Sequence, residues 1–157
     1  MRDPKLILGT QKRIDNHDYE ALFAHGGCFH FALRLHETLG HNIRGLRDSK
    51  GGNLSHVWCQ KKGTCKGIDI RGVYDEDLIV RLANGGNPAK PSDVSADELG
   101  ATIAAKEYPP ELDKKMRELA DWIVNTHERF WDAKPLSQGL HDNFVKNLEG
   151  TEPGSAT

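Results

Sequence analysis

Residues 26–40 read Gly-Gly-Cys-Phe-His-Phe-Ala-Leu-Arg-Leu-His-Glu-Thr-Leu-Gly, and this stretch decides the fold. Side chains at positions 28, 32, 35 and 39 are apolar, which is the i, i+4, i+7, i+11 spacing of one helical face. Gly40 suits the left-handed conformation that ends many helices. The pattern therefore predicts a helix that begins at Cys28 and stops before Gly40.

The flanking sequence predicts a sheet beside this helix. Residues 41–47 have the composition of a short strand, and residues 54–61 and 64–71 are two extended runs on either side of Lys62-Gly63, which predicts a hairpin. Helices are expected later in the chain, at 75–83, 96–106, from 110 onward and at 138–148. We therefore predict an α+β fold, in which an antiparallel sheet packs against the helix that begins at Cys28, with additional C-terminal helices.

Composition excludes several classes of protein. The 157 residues, of which 37% are apolar and 28% charged, predict one domain over residues 1–150 and a frayed tail over 151–157. A formal net charge of -2 provides no basic field for nucleic acid. No apolar run approaches the ~20 residues of a membrane-spanning helix, and a secretory signal is not recognisable. The three cysteines favour a reducing compartment, so we expect a cytoplasmic protein without nucleic-acid or membrane partners; its oligomeric state is left open.

The hairpin register decides which side chains meet. If Lys62-Gly63 is a two-residue turn, His56 lies directly opposite Asp69, within reach of a hydrogen bond between the ring and the carboxylate. In that register Cys59 and Cys65 lie on opposite faces, which excludes a disulfide between them. A three-residue turn would instead place Cys59 opposite Cys65 and displace His56 from Asp69 by one residue.

Cys28, His56 and Asp69 are the candidate catalytic residues. A thiol with a pKa of about 8.5 is mostly protonated at neutral pH, but a helix N-terminus and a neighbouring imidazolium both favour the nucleophilic thiolate. His56 would accept the thiol proton and return it to the leaving group, and Asp69 would orient the imidazole. The backbone N–H of Cys28 is a candidate oxyanion donor.

These residues resemble a known superfamily. The segment Gly27-Cys28-Phe29-His30-Phe31-Ala32, followed by His56-Val57-Trp58 and by Ile68-Asp69-Ile70-Arg71-Gly72, is similar to the core of papain-like and transglutaminase-like cysteine enzymes, including small bacterial and phage members. The resemblance implies cysteine-dependent acyl transfer or hydrolysis of an amide or ester, as in a thiol protease, amidase, deamidase or transglutaminase. It implies no cofactor and no metal, and a peptide, protein or small amide or ester as substrate. The chain lacks the Gln that papain-type peptidases carry shortly before the cysteine.

Neighbouring residues complete the predicted site. Gly27 would let a substrate carbonyl approach the sulfur. Trp58 lies two residues from His56 on the same strand face, as a cleft wall or as core, and His25 is a further candidate for the lining. Arg71 is expected to be solvated or ion-paired, with a substrate anion as its second possible partner.

Two alternatives involve no catalysis. The pairs His25/Cys28 and His56/Cys59 have zinc-like spacing, so the chain could be a binding module with a structural Cys2His2 site. On a regular strand residues 56 and 59 point to opposite faces, so both would bind one ion only at a bulge. The other alternative is a binding or inhibitor module that keeps the triad geometry without turnover.

Overall fold

The computed structural model describes residues 2–24, 26–48 and 52–126, which form an α+β fold. Its helices are α1 (Pro4–Asp15), α2 (Tyr19–Ala24), α3 (Cys28–Leu39), α4 (Glu76–Ala83), α5 (Ala96–Ala105) and α6 (Pro110–Thr126). Its strands are β1 (Asn42–Arg47), β2 (Leu54–Gln60), β3 (Lys66–Asp69), β4 (Gly72–Asp75) and β5 (Ser92–Asp93). The strands form one antiparallel sheet in the order β4-β3-β2-β1-β5. The predicted fold class is confirmed.

Helix α3 has the bounds that its sequence pattern predicts. It begins at Cys28, and Gly40 follows it in the left-handed conformation at φ 75°. The helix packs between the sheet and α6, where Nε2 of His30 lies 2.8 Å from Oδ1 of Asp113. Burial of its first turns within the main apolar cluster fixes the position of the Cys28 end relative to the sheet.

The opposite face of the sheet is covered by α4. Trp58 forms a small buried cluster there with Leu46, Ile79 and Val80. A Cβ at Gly67 would lie only 2.4 Å from Cδ1 of Ile79 and 3.1 Å from Cδ1 of Trp58. The absence of a side chain at Gly67 therefore lets Trp58 and α4 lie directly on β3.

The predicted register of the first hairpin is wrong by two residues. Cys59 pairs with Ile68, and Gln60 with Gly67, because the connection is a longer loop over residues 62–65. The backbone N–H of Lys61 donates to the carbonyl of Lys66 at 2.8 Å and closes this loop. The same pairing aligns Trp58, rather than His56, with Asp69. Because the displacement is an even number of residues, every side chain keeps its predicted face.

Strand β3 also ends earlier than predicted. It stops at Asp69, which pairs with Gly72 across a two-residue turn formed by Ile70 and Arg71. The chain then continues as β4, a strand that the sequence analysis did not predict. This second hairpin places Arg71 at the end of the sheet, where β2 begins.

A β-bulge interrupts the pairing of β1 with β2. The register shifts between Leu46, which pairs with His56, and Arg47, which pairs with Leu54. Ser55 is therefore an extra residue on β2. A bulge bends its strand and re-aims the neighbouring side chains.

The remaining predictions have mixed outcomes. The strand at 41–47 and the helices at 75–83, at 96–106 and from 110 are confirmed by β1, α4, α5 and α6. The N-terminal segment contains the helix α1. The helix predicted at 138–148 and the tail at 151–157 lie outside the described residues. Among the described helices, none combines the length and apolar character that a membrane crossing requires.

Candidate active site

A cleft of about 390 Å³ lies at the end of the sheet where β2 begins. Its lining includes Gly26, Cys28, Ser55, His56, Arg71 and Leu82. The predicted nucleophile and the predicted base therefore line one cavity. A second cleft, of about 450 Å³ beside α1 and α5, has neither cysteine nor histidine among its described lining residues. The chemistry of the lining makes the first cleft the candidate active site.

Cys28 is the first residue of α3. The N-cap residue Gly27 has no side chain to accept the N–H groups of the first turn, so these donors and their partial positive charge lie beside the thiol. Cys28 is only 4% exposed, and this burial raises the pKa of its thiol to about 11. Hydrogen bonding from the backbone of Val57 and the charge of Lys106 lower the pKa, while the charge of Asp69 raises it. The resting side chain is therefore a neutral thiol at pH 7.

His56 lies directly after the bulge in β2. Its ring centroid is 5.8 Å from that of Trp58, with the two rings inclined by 34°. The backbone of Val57, the residue that follows the histidine on β2, is close enough to the thiol of Cys28 to lower its pKa. The bulge precedes His56 and the indole packs against its ring, and His56 lines the same cleft as Cys28.

Asp69 binds Arg71 rather than lying opposite His56. Oδ1 of Asp69 accepts the backbone N–H of Arg71 at 2.7 Å, and Oδ2 accepts Nε and Nη2 of the same residue at 3.1 and 2.6 Å. Both oxygens of the carboxylate therefore accept hydrogen bonds within the turn that Asp69 begins. Arg71 is therefore the partner of this buried carboxylate, and the predicted direct alignment of Asp69 with His56 is wrong.

The three predicted substrate-binding residues differ in position. Gly27 is buried, and a Cβ there would lie 2.5 Å from the carbonyl oxygen of Leu22, so close packing of α2 on α3 explains this glycine. Trp58 is 1% exposed and its Nε1 donates to Oε2 of Glu76 at 3.0 Å, so it belongs to the core behind His56 rather than to the cleft wall. His25 lies outside the described residues.

The position of Cys59 does not favour the predicted alternative of a structural zinc site. Its thiol is fully buried and donates to the carbonyl oxygen of Ala32 at 3.2 Å. The bulge in β2 precedes His56, and pairing is regular from His56 to Cys59, so the two side chains stay on opposite faces. Among the described residues, no three His, Cys, Asp or Glu side chains are grouped to hold a metal ion.

Ser55 and Leu82 also line the cleft, and local sequence does not predict either of them. The bulge at Ser55 and the orientation of α4, which carries Leu82, both depend on tertiary packing. Arg71 was expected to be ion-paired, and it is. The sequence does indicate the turn that positions Arg71, since Asp69 and Gly72 occupy the first and last positions of a four-residue turn, where these residue types are favoured.

Comparison of the chain with protein-family models, with curated protein sequences and with solved structures finds no match.

Proposed function

We propose that this protein is a cysteine-dependent hydrolase or acyltransferase that acts on an amide or ester, with Cys28 as nucleophile and His56 as general base. The proposal rests chiefly on one observation: both side chains line a single cleft at the N-terminus of α3. Nucleophilic catalysis needs such a pair close together, with donors directed at the developing oxyanion.

The raised pKa of Cys28 determines what His56 has to do. A thiol with a pKa near 11 carries little negative charge at pH 7, so an uncatalysed attack would be slow. In the proposed reaction the Sγ proton moves to the ring of His56 as the sulfur attacks the acyl carbon. The N–H groups at the start of α3 then stabilise the oxyanion.

The remaining steps return the enzyme to its resting state. The bond from the acyl carbon to the leaving nitrogen or oxygen breaks, and the leaving group takes the proton from His56. This gives a thioester on Cys28. Water or an amine, deprotonated by His56, then attacks the thioester, the carbon–sulfur bond breaks, and the thiolate recovers its proton from the imidazolium.

The proposed substrates are peptides, proteins or small amides and esters. The cleft volume of about 390 Å³ is within the range of small-molecule sites. The proposed compartment is the cytoplasm, because Cys28, Cys59 and Cys65 all carry free thiols, and Cys65 is exposed to any oxidant in the medium.

The test is acyl-enzyme formation with 4-nitrophenyl acetate in the full-length chain. The experiment uses a Cys65→Ser background, because this exposed thiol would react with the ester by itself. We expect a burst of one 4-nitrophenolate per chain and an acetyl mass adduct that peptide mapping assigns to Cys28. Cys28→Ser in the same background should lose the burst.

Absence of an adduct on Cys28 would contradict the proposal and favour a binding module without turnover. About one zinc per chain in the purified protein, lost in Cys28→Ser, would favour the zinc module instead.

A further inference from the structure

Arg71 lines the same cleft as Cys28 and His56. The side chain is 21% exposed, whereas the carboxylate of Asp69 that binds it is 4% exposed. The acid of this ion pair therefore lies on the protein side, and the cation lies on the side that a ligand enters.

Hydrogen bonding leaves one edge of the guanidinium available. Asp69 takes Nε and Nη2, and Nη1 makes no hydrogen bond within the described part of the chain. Two bonds to one carboxylate oxygen and a third from the Arg71 backbone hold the group in a fixed orientation. A guanidinium fixed in this way loses little conformational entropy when its free edge binds an oxygen anion.

The surroundings of the guanidinium include negative as well as positive groups. The charges of Asp69 and Glu20 both act on Arg71, and the phenol of Tyr74 donates to its backbone carbonyl. A ligand at the free edge contacts Nη1, the nitrogen to which Asp69 makes no hydrogen bond. The N-terminus of α3, whose first residue Cys28 lines the same cleft, adds partial positive charge there.

We infer that Arg71 binds an anionic group of the acyl donor, so that the preferred substrates carry a carboxylate close to the carbonyl that Cys28 attacks. This inference rests on the proposed function. In this inference Arg71 determines which substrates bind, and Asp69 is a positioning residue that holds Arg71 in place.

The experiment compares two rigid esters of nearly the same shape, one anionic and one neutral: 4-nitrophenyl 3-carboxybenzoate and 4-nitrophenyl 3-carbamoylbenzoate. The meta carboxylate cannot reach its own ester carbon, and the amide is its neutral isostere. We expect Cys28 to be acylated about tenfold or more faster, at subsaturating ester, by the carboxylate, which is the factor expected of one charge-assisted hydrogen bond. The preference should shrink in high salt.

Arg71→Gln should reduce the preference to about one. Because this change leaves Asp69 buried with its partner removed, the double variant Asp69→Asn/Arg71→Gln is measured beside it; both changes then leave a neutral pair. The matched control is Arg44→Gln, since Arg44 is also a mostly buried, ion-paired arginine but lies away from the cleft. It should keep the full preference. The ratio of the two rates is independent of how much protein is folded.

The outcomes separate the two proposals. Acylation of Cys28 by both esters at similar rates in the wild type, or a preference that survives in the double variant, would overturn the role of Arg71 alone. Failure of both esters and of 4-nitrophenyl acetate to acylate Cys28 would overturn the proposed function.

Discussion

Oδ2 of Asp69 lies 2.6 Å from Nη2 of Arg71, and the backbone N–H of Arg71 donates to Oδ1 of the same carboxylate. The two residues flank Ile70 and belong to the turn that joins β3 to β4. A buried carboxylate with a guanidinium partner and a backbone donor stabilises the conformation of that turn. Arg71 cannot move out of the cleft without leaving the buried carboxylate of Asp69 unpaired.

Asp69→Asn should therefore destabilise the fold as well as alter the cleft. We expect the free energy of unfolding to fall by about 2–4 kcal/mol, since one charge and its hydrogen bonds are lost from a largely buried pair. Urea denaturation at pH 7 measures this change. In an Arg71→Gln background the same substitution should cost at least about 1 kcal/mol less; effects that add to within about 0.5 kcal/mol would show that the pair is not coupled.

The hairpin shows which part of the fold a sequence can predict. Both strands were predicted, because their composition and alternation are local properties. The register was not predicted, because Lys62-Gly63 has the composition of a two-residue turn. In the structure the loop is longer, and a backbone hydrogen bond between Lys61 and Lys66 closes it. Oγ1 of Thr64 accepts the N–H of Lys66 at 3.0 Å and donates to the carbonyl of Lys61 at 2.8 Å. These side-chain bonds stabilise a longer loop in competition with the shorter turn.

The candidate site follows the same division. Cys28 at a helix start and His56 on a strand were predicted from local pattern, and the structure places both at one cleft. The bulge at Ser55 could not be predicted, because it depends on how β1 and β2 pair over a long connection. The predicted alignment of Asp69 with His56 was deduced from the hairpin register, so it is wrong because that register is wrong.

His56→Ala should slow acylation of Cys28 by 4-nitrophenyl acetate by about 10²- to 10⁴-fold, the usual contribution of a general base. Without the base, the rate should follow the thiolate fraction and rise about tenfold per pH unit up to a pH near 11. Stopped-flow release of 4-nitrophenolate in the Cys65→Ser background measures both effects. His36→Gln is the control, because His36 lies at the other end of α3. An unchanged rate in His56→Ala would remove His56 from the mechanism.

Gly27→Ala should destabilise the protein through contact rather than through backbone conformation. Gly27 has φ -86°, which any residue adopts, but a Cβ would meet the carbonyl oxygen of Leu22 at 2.5 Å. We expect a loss of about 2 kcal/mol or more and a Tm lower by several degrees. Gly100→Ala, whose Cβ would meet no atom within 4 Å apart from its chain neighbours and the backbone of its own helix, should instead gain about 0.5–1 kcal/mol. Thermal unfolding measures the Tm of both variants. Equal Tm values for Gly27→Ala and Gly100→Ala would show that α2 can move away from α3 to make room for the new Cβ.

The pH dependence of stability tests the buried thiol directly. Burial raises the pKa of Cys28 from 9.0 to about 11, so between these pH values the folded protein keeps a proton that the unfolded chain releases. Unfolding therefore becomes easier as pH rises: the contribution is fully present below pH 9 and is lost by about pH 11, a change of about 3 kcal/mol. Urea denaturation of wild type and Cys28→Ser at pH 8 to 11 isolates it, because lysines, tyrosines and Cys59 titrate in both proteins. The wild type should lose stability relative to the variant across this range. A difference that is constant above pH 9 would mean that the folded thiol is already ionised at lower pH by an imidazolium partner. The base would then act before substrate binds rather than during attack.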